Sequence, residues 1–202
     1  MSRRLVLALV ATVSLVVAVG AFLLLRGGGE DAALARISAP QRPIRMPIPN
    51  PLGGPRSPEP TGEAFVIAER RGIRLVRLPR RDGTSCWGAY ELRSGDWSLT
   101  TYRCETTFQR FPDPREPLRV LGPVFLTIGS PLQDYQSFQG LAADGVHSVG
   151  VIDARDRLVP MARVQGNAFW ADRPTDRVKA VVALDEDGEV IWRSPTVEWP
   201  EE

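Results

Sequence analysis

The chain has one histidine, His147, one lysine, Lys179, and two cysteines, Cys86 and Cys104. A single imidazole excludes histidine-cluster metal sites and leaves few acid–base schemes. Two cysteines allow one pairing and no C-x-x-C redox motif. The formal net charge of +1 gives no electrostatic ground for a nucleic-acid partner. Nucleophile motifs of the G-x-S-x-G or S-x-x-K kind are absent, as are phosphate-binding glycine loops. No cofactor, no catalytic set and no metal-ligand set is therefore expected. The near-exclusive use of arginine as the base fits the codon bias of a GC-rich bacterial genome.

What the chain does have begins at its N-terminus. Leu5 to Leu25 carries no charged residue. As a helix it is roughly 31 Å long, the thickness of a bilayer's hydrocarbon core. Arg3 and Arg4 precede it, so residues 1–4 are expected in the cytoplasm and the rest outside. A cleaved signal peptide is the alternative, with Ala18-Val19-Gly20 as the cleavage site. The apolar run continues past that site to Leu25, which favours a retained anchor. The expected location is the cell membrane, single-pass, with the domain extracytoplasmic.

Residues 26–63 read as a flexible linker rich in proline and glycine. Ala39 to Pro60 contains eight prolines, which disfavour helix and sheet alike. Such a linker spans roughly 30 Å as a coil and up to roughly 110 Å if extended. Two P-x-x-P matches, beginning at Pro40 and Pro55, read as spacer.

Residues 64–202 read as one all-β domain. Short apolar runs alternate with turn signals. Ala64–Glu69 and Ile73–Leu78 flank Arg70-Arg71-Gly72. Ser85–Leu92 and Trp97–Cys104 flank Arg93-Ser94-Gly95-Asp96. Further runs are expected at Leu118–Leu121, Val124–Ile128, Phe138–Ala142, Val146–Asp153, Leu158–Val164, Ala168–Trp170, Val178–Leu184 and Glu189–Trp192. The expected architecture is an antiparallel β-sandwich or open barrel. Cys86 and Cys104 lie in runs that a short turn makes neighbours, and outside the cytoplasm they are expected to form a disulfide.

The stretch Gly140-Leu141-Ala142-Ala143-Asp144-Gly145-Val146-His147-Ser148-Val149-Gly150-Val151 resembles small secreted or membrane-anchored bacterial β-domains of the immunoglobulin-like kind. The resemblance continues through Val164 to Phe169 and through Val181 to Val190, about the last third of the chain. Arg155-Asp156 stands where such domains carry an Asp-Gly turn. The resemblance implies a sandwich and no chemistry.

Candidate sites are few. His147 with Asp144 and Ser148 suggests hydrolysis, but neighbours on one strand point to opposite faces and cannot line up as a triad. Asp185-Glu186-Asp187-Gly188-Glu189 has its glycine at the fourth position, where a calcium loop needs it at the sixth, so a hairpin turn is expected. Arg70, Arg71, Arg74, Arg77, Arg80 and Arg81 form a basic cluster that could meet anionic lipid or wall polymer. Trp87, Trp97, Trp170, Trp192 and Trp199 could supply an aromatic binding face, with Trp87 and Trp97 expected in the core beside the disulfide. The functional expectation is a non-catalytic binding or scaffold module of the cell envelope, with an envelope protein, anionic lipid or wall polymer as partner. The alternative is an envelope-directed hydrolase using His147.

Overall fold

Left-handed turn residues set the strand pairing. The computed structural model describes residues 31–45, 63–106, 108–121, 137–172 and 178–195. Arg71 and Gly72 have φ of 51° and 73°, so β2 (Ala64–Arg70) and β3 (Ile73–Pro79) join through a two-residue turn. Ser94 and Gly95, at 51° and 94°, do the same for β4 (Ser85–Arg93) and β5 (Asp96–Cys104). Two consecutive positive φ values match the right-handed twist of a hairpin. With β1 (Arg42–Ile44), these strands form a five-stranded antiparallel sheet in chain order.

Two smaller sheets follow. β6 (Leu118–Val120), β7 (Ser137–Ala142) and β10 (Ala168–Asp172) form a three-stranded sheet in the order β10-β7-β6. β8 (Ser148–Asp153), β9 (Leu158–Arg163), β11 (Val178–Leu184) and β12 (Val190–Arg193) form a four-stranded sheet in the order β12-β11-β8-β9. All pairs are antiparallel. The all-β expectation therefore holds.

Strand alternation splits the core in two. Leu141 and Ala168 of the three-stranded sheet join Leu75, Trp87 and Ala89 of the five-stranded sheet. Their neighbours Ala142 and Phe169 point the other way, onto Val149, Val181 and Ala183 of the four-stranded sheet. Burying each such Leu or Phe contributes roughly 1.5–3 kcal/mol. Gly140 admits this packing, because a Cβ there would stand 2.7 Å from the Phe169 ring. A third cluster, with Val76, Leu78, Cys86 and Tyr90, lies on the opposite face of the five-stranded sheet.

The turn at Arg155-Asp156 works without glycine. Asp156 takes φ of 59°, and the Asp153 carboxylate accepts from the Arg155 and Arg157 amides, each at 2.9 Å. These donors and the Arg157 side chain hold the Asp153 carboxyl below its ordinary value. Asp185 does similar work before β12, accepting from the amides of Asp187 and Glu189. The acidic segment is a hairpin turn.

One structural finding changes the domain's outline. Residues 31–45, read from sequence as linker, lie against the sheets. Leu34 packs on the second core cluster, and Ile37 and Ala39 on the first. Arg42, Pro43 and Ile44 pair with Val66, Phe65 and Ala64. Pro43 fits there because β1 is an edge strand, where a missing N–H need not break a ladder. The proline rule was sound for a central strand and failed at an edge. The apolar run 5–25, the expected strand Val124–Ile128 and Trp199 lie outside the described residues. Among the described residues no helix is long and apolar enough to cross a membrane.

Candidate functional site

The arginine cluster is divided by the strand that carries it. β3 is seven residues long, so its ends stand roughly 20 Å apart. Arg70, Arg71 and Arg74 lie at the β2–β3 turn. Arg81 is exposed at the far end, and Arg80 beside it is buried, 7% exposed. Arg80 is a core residue; its Nη1 donates to the Glu105 carbonyl at 3.2 Å. Six arginines that lie close in sequence thus do not make one surface.

The arginines and tryptophans instead meet each other. The Arg74 guanidinium lies 3.8 Å over the Trp97 ring while its Nε donates to Glu69 at 2.7 Å. Arg70 lies 5.8 Å over Trp170, and Arg77 lies 5.3 Å over Phe65. Stacking of this kind is favourable by about 0.5–2 kcal/mol. Guanidinium groups cover Trp97 and Trp170, so neither ring is a bare platform for a sugar.

A partly exposed strip runs along edge strand β5, its outer residues flanking buried Tyr90 and Cys86. Cross-strand pairs on this face are Leu92 with Trp97, Tyr90 with Leu99, Gly88 with Tyr102, and Cys86 with Cys104. Leu92 and Tyr102 are 45% and 41% exposed, and Trp97 and Leu99 are half-buried between them. The Cys86–Cys104 disulfide closes one end of the strip. Leu92 donates its amide to the Gly72 carbonyl at 2.8 Å, which brings the two hairpin turns together at the other end. The face expected for Trp87 differs. Trp97 packs in the cluster that holds the disulfide, while Trp87 faces the opposite side of the sheet. Trp192 is half-buried, its Nε1 donating to the Arg115 carbonyl at 2.8 Å.

Trp87 belongs to a buried polar centre that no sequence signal marks. The Glu105 carboxylate accepts from Ser85 N at 2.8 Å, Trp87 Nε1 at 2.9 Å and Phe111 N at 3.0 Å. Phe111 meets Trp87 edge-on at 5.1 Å, and the Arg119 guanidinium lies over the Phe111 ring at 4.8 Å. Arg119 is 2% exposed and pairs with Glu116 at 3.0 Å. Burial pushes its guanidinium below the ordinary value, and Glu116 opposes that shift. The Arg119 Nε and Nη1 have no hydrogen-bond partner among the described residues.

His147 is exposed on the β8 approach, with its amide donating to the Leu184 carbonyl and its carbonyl accepting from Val164. Asp144 is committed elsewhere. Its carboxylate accepts from Ser38 N at 2.8 Å, Ser38 Oγ at 2.6 Å and Asn167 Nδ2 at 3.0 Å. Asn167 sits at φ 61° in the Gly166-Asn167 turn, and its Oδ1 accepts from Ala39 N at 2.6 Å. An asparagine serves twice here: it tolerates the left-handed backbone, and its amide reaches a neighbouring segment. Asp144 is a clamp for residues 36–39 rather than an orienting acid for His147.

Partial burial pushes the Asp144 carboxyl up, but the Ser38 and Asn167 donors and Arg36, 3.9 Å away, outweigh it and hold the group below its ordinary value. A depressed folded value means the clamp's contribution is full above the ordinary carboxyl value and is lost as pH falls through the depressed one. Hydrogen exchange should therefore show unchanged protection of the Ser38 and Ala39 amides from pH 7 to pH ~5. In more acid solution they should lose protection before β8 and β11 do. Simultaneous loss across all strands would refute a local clamp.

No known family model, curated protein or solved structure matches this chain.

Proposed function

We propose that this chain is a non-catalytic protein-binding module of the cell envelope, a sandwich-like β-domain displayed outside the membrane by the apolar segment 5–25. The observation that carries this reading is the β5 strip. Leu92, Trp97, Leu99 and Tyr102 share one face beside Arg74. Tryptophan, tyrosine and arginine are the side chains that dominate protein–protein contact energies. An edge strand also offers a partner unpaired backbone groups. Anionic lipid or wall polymer is the weaker choice, because Arg74 is paired with Glu69 and Arg93 with Glu91, at 2.7 Å and 2.6 Å. Hydrolysis through His147 has less support still, since the Asp144 carboxylate is engaged by Ser38 and Asn167.

A site-specific test places a photo-crosslinking amino acid at Tyr102, and separately at exposed Arg155, in the full chain in its own membrane. The Tyr102 position should yield one discrete protein adduct that the Arg155 position does not. Adding the Leu92→Ser change should reduce that adduct at least about tenfold, the effect of losing about 1.4 kcal/mol of contact energy. Adducts equal from both positions, or none from Tyr102, would overturn the assignment. His147→Ala should leave the adduct unchanged.

A further inference from the structure

Residues 33–44 form an arm clamped by the last third of the chain and laid along the core and edge of the five-stranded sheet. Asp144 and Asn167 receive the amides of Ser38 and Ala39, contacts 106 and 128 residues apart in sequence. The Asp144 amide returns a hydrogen bond to the Arg36 carbonyl at 2.9 Å. Asn167 Nδ2 holds the Ala142 carbonyl and the Asp144 carboxylate, each at 3.0 Å, so the two clamp side chains brace one another. The seat therefore reads the main chain of an extended segment and one hydroxyl, that of Ser38. Ile37 and Ala39 enter the first core cluster, Leu34 rests on the second, and β1 extends the sheet edge beside β2.

The arm is held by few groups. Of its residues only Ala39 is buried; the rest are half-buried or exposed. Segments with little burial open at a free energy well below that of the whole domain. Ile44 lies directly opposite Ala64, yet the chain between them is residues 45–63, far longer than the two residues a hairpin needs. Such a connection reaches about 60 Å when extended, enough to seat the arm on a neighbouring molecule. The seat in a second copy offers the same clamp, the same core and the same sheet edge.

We propose that this arm is exchangeable: the seat formed by Asp144, Asn167 and the edge of β2 accepts the arm of a second copy, giving a reciprocally swapped dimer. Contacts in the swapped form duplicate those within one chain, so concentration governs the choice. A tether of this length keeps the chain's own arm at an effective concentration on the order of millimolar. Dilute protein is monomeric, and dense packing of copies shifts arms between neighbours. The proposal stands on the arm's geometry and not on the envelope-protein reading, and the two fail separately.

Two full-length variants isolate the exchange. Ser38→Asp sets a carboxylate against Asp144 and disables the arm while leaving the seat. Asp144→Ala disables the seat and leaves the arm. In hydrogen exchange, each variant alone should show the 36–44 amides exchanging at least about tenfold faster than in the parent chain. Unchanged protection of β8 and β11 confirms that each is folded. Mixing Asp144→Ala with excess Ser38→Asp, up to about 1 mM, should restore protection to the arm of the former. No recovery at that concentration overturns the proposal. A chain in which residues 45–63 are deleted, joining Ile44 straight to Ala64, has no turn and cannot seat its own arm. It should sediment as a dimer, and adding Asp144→Ala should return it to monomer. A monomer with an unprotected arm, or a dimer indifferent to Asp144, overturns it as well.

Discussion

Replacing Glu105 by alanine is expected to destabilise the domain by about 3–5 kcal/mol, measured by urea unfolding. Three N–H donors converge on this one carboxylate, from Ser85, the Trp87 indole and Phe111. Glu105 is 8% exposed, so water cannot replace it freely. Each orphaned buried donor costs about 1–3 kcal/mol, with less than full additivity because they share an acceptor. Glu105→Gln separates the parts. Trp87 Nε1 and Phe111 N share Oε1, whereas Ser85 N uses Oε2. An amide can keep the shared oxygen but must turn its NH2 toward Ser85 N. A smaller loss of about 1–3 kcal/mol follows. Trp87 fluorescence should shift in the alanine variant, because the indole N–H loses its partner. A loss under 1 kcal/mol for Glu105→Ala would mean that the centre is not held by these bonds.

The second large effect belongs to the Cys86–Cys104 disulfide. Changing both residues to alanine should cost roughly 3 kcal/mol, the chain-entropy value for a closed loop of about this length. The two cysteines stand 18 residues apart and face each other across β4 and β5. Among the described residues β5 is an outer strand of its sheet, paired only with β4. The loss should therefore be local first, with β5 amides gaining exchange before β3 amides. The proposed binding strip should weaken in parallel, since Trp97, Leu99 and Tyr102 lie on that strand. Uniform loss of protection, or no change in unfolding midpoint, would show that the bond does not secure the edge.

These two effects differ in how far they could be read from the chain itself. The cysteine pair was legible because two strand-like runs flank Arg93-Ser94-Gly95-Asp96, and such a turn brings their far ends together. Glu105 was not legible. It follows Cys104 with no motif, and its three donors come from residues 85, 87 and 111, whose meeting depends on sheet packing. Arg119 is a similar case, one charged residue between Leu118 and Val120 with nothing local to show that it is buried.

The arginine cluster shows the opposite failure. Six arginines within twelve positions suggested a single patch. A strand sends successive side chains to opposite faces and moves them about 3.3 Å per residue, so nearness in sequence became separation in space. The linker is the third instance. Proline content argued against pairing, and Arg42–Ile44 nevertheless lies on a sheet edge, where pairing needs donors on one side only.

The amino-acid sequence alone determined the strand class, most strand limits, the positions of the turns and the disulfide, because each rests on periodicity or on contacts across a short turn. Tertiary structure alone decided which buried charges share a core, that arginines cover Trp97 and Trp170, and that Asp144 serves Ser38 instead of His147. Those contacts join residues as much as 106 positions apart, and no local propensity carries information about a partner that distant.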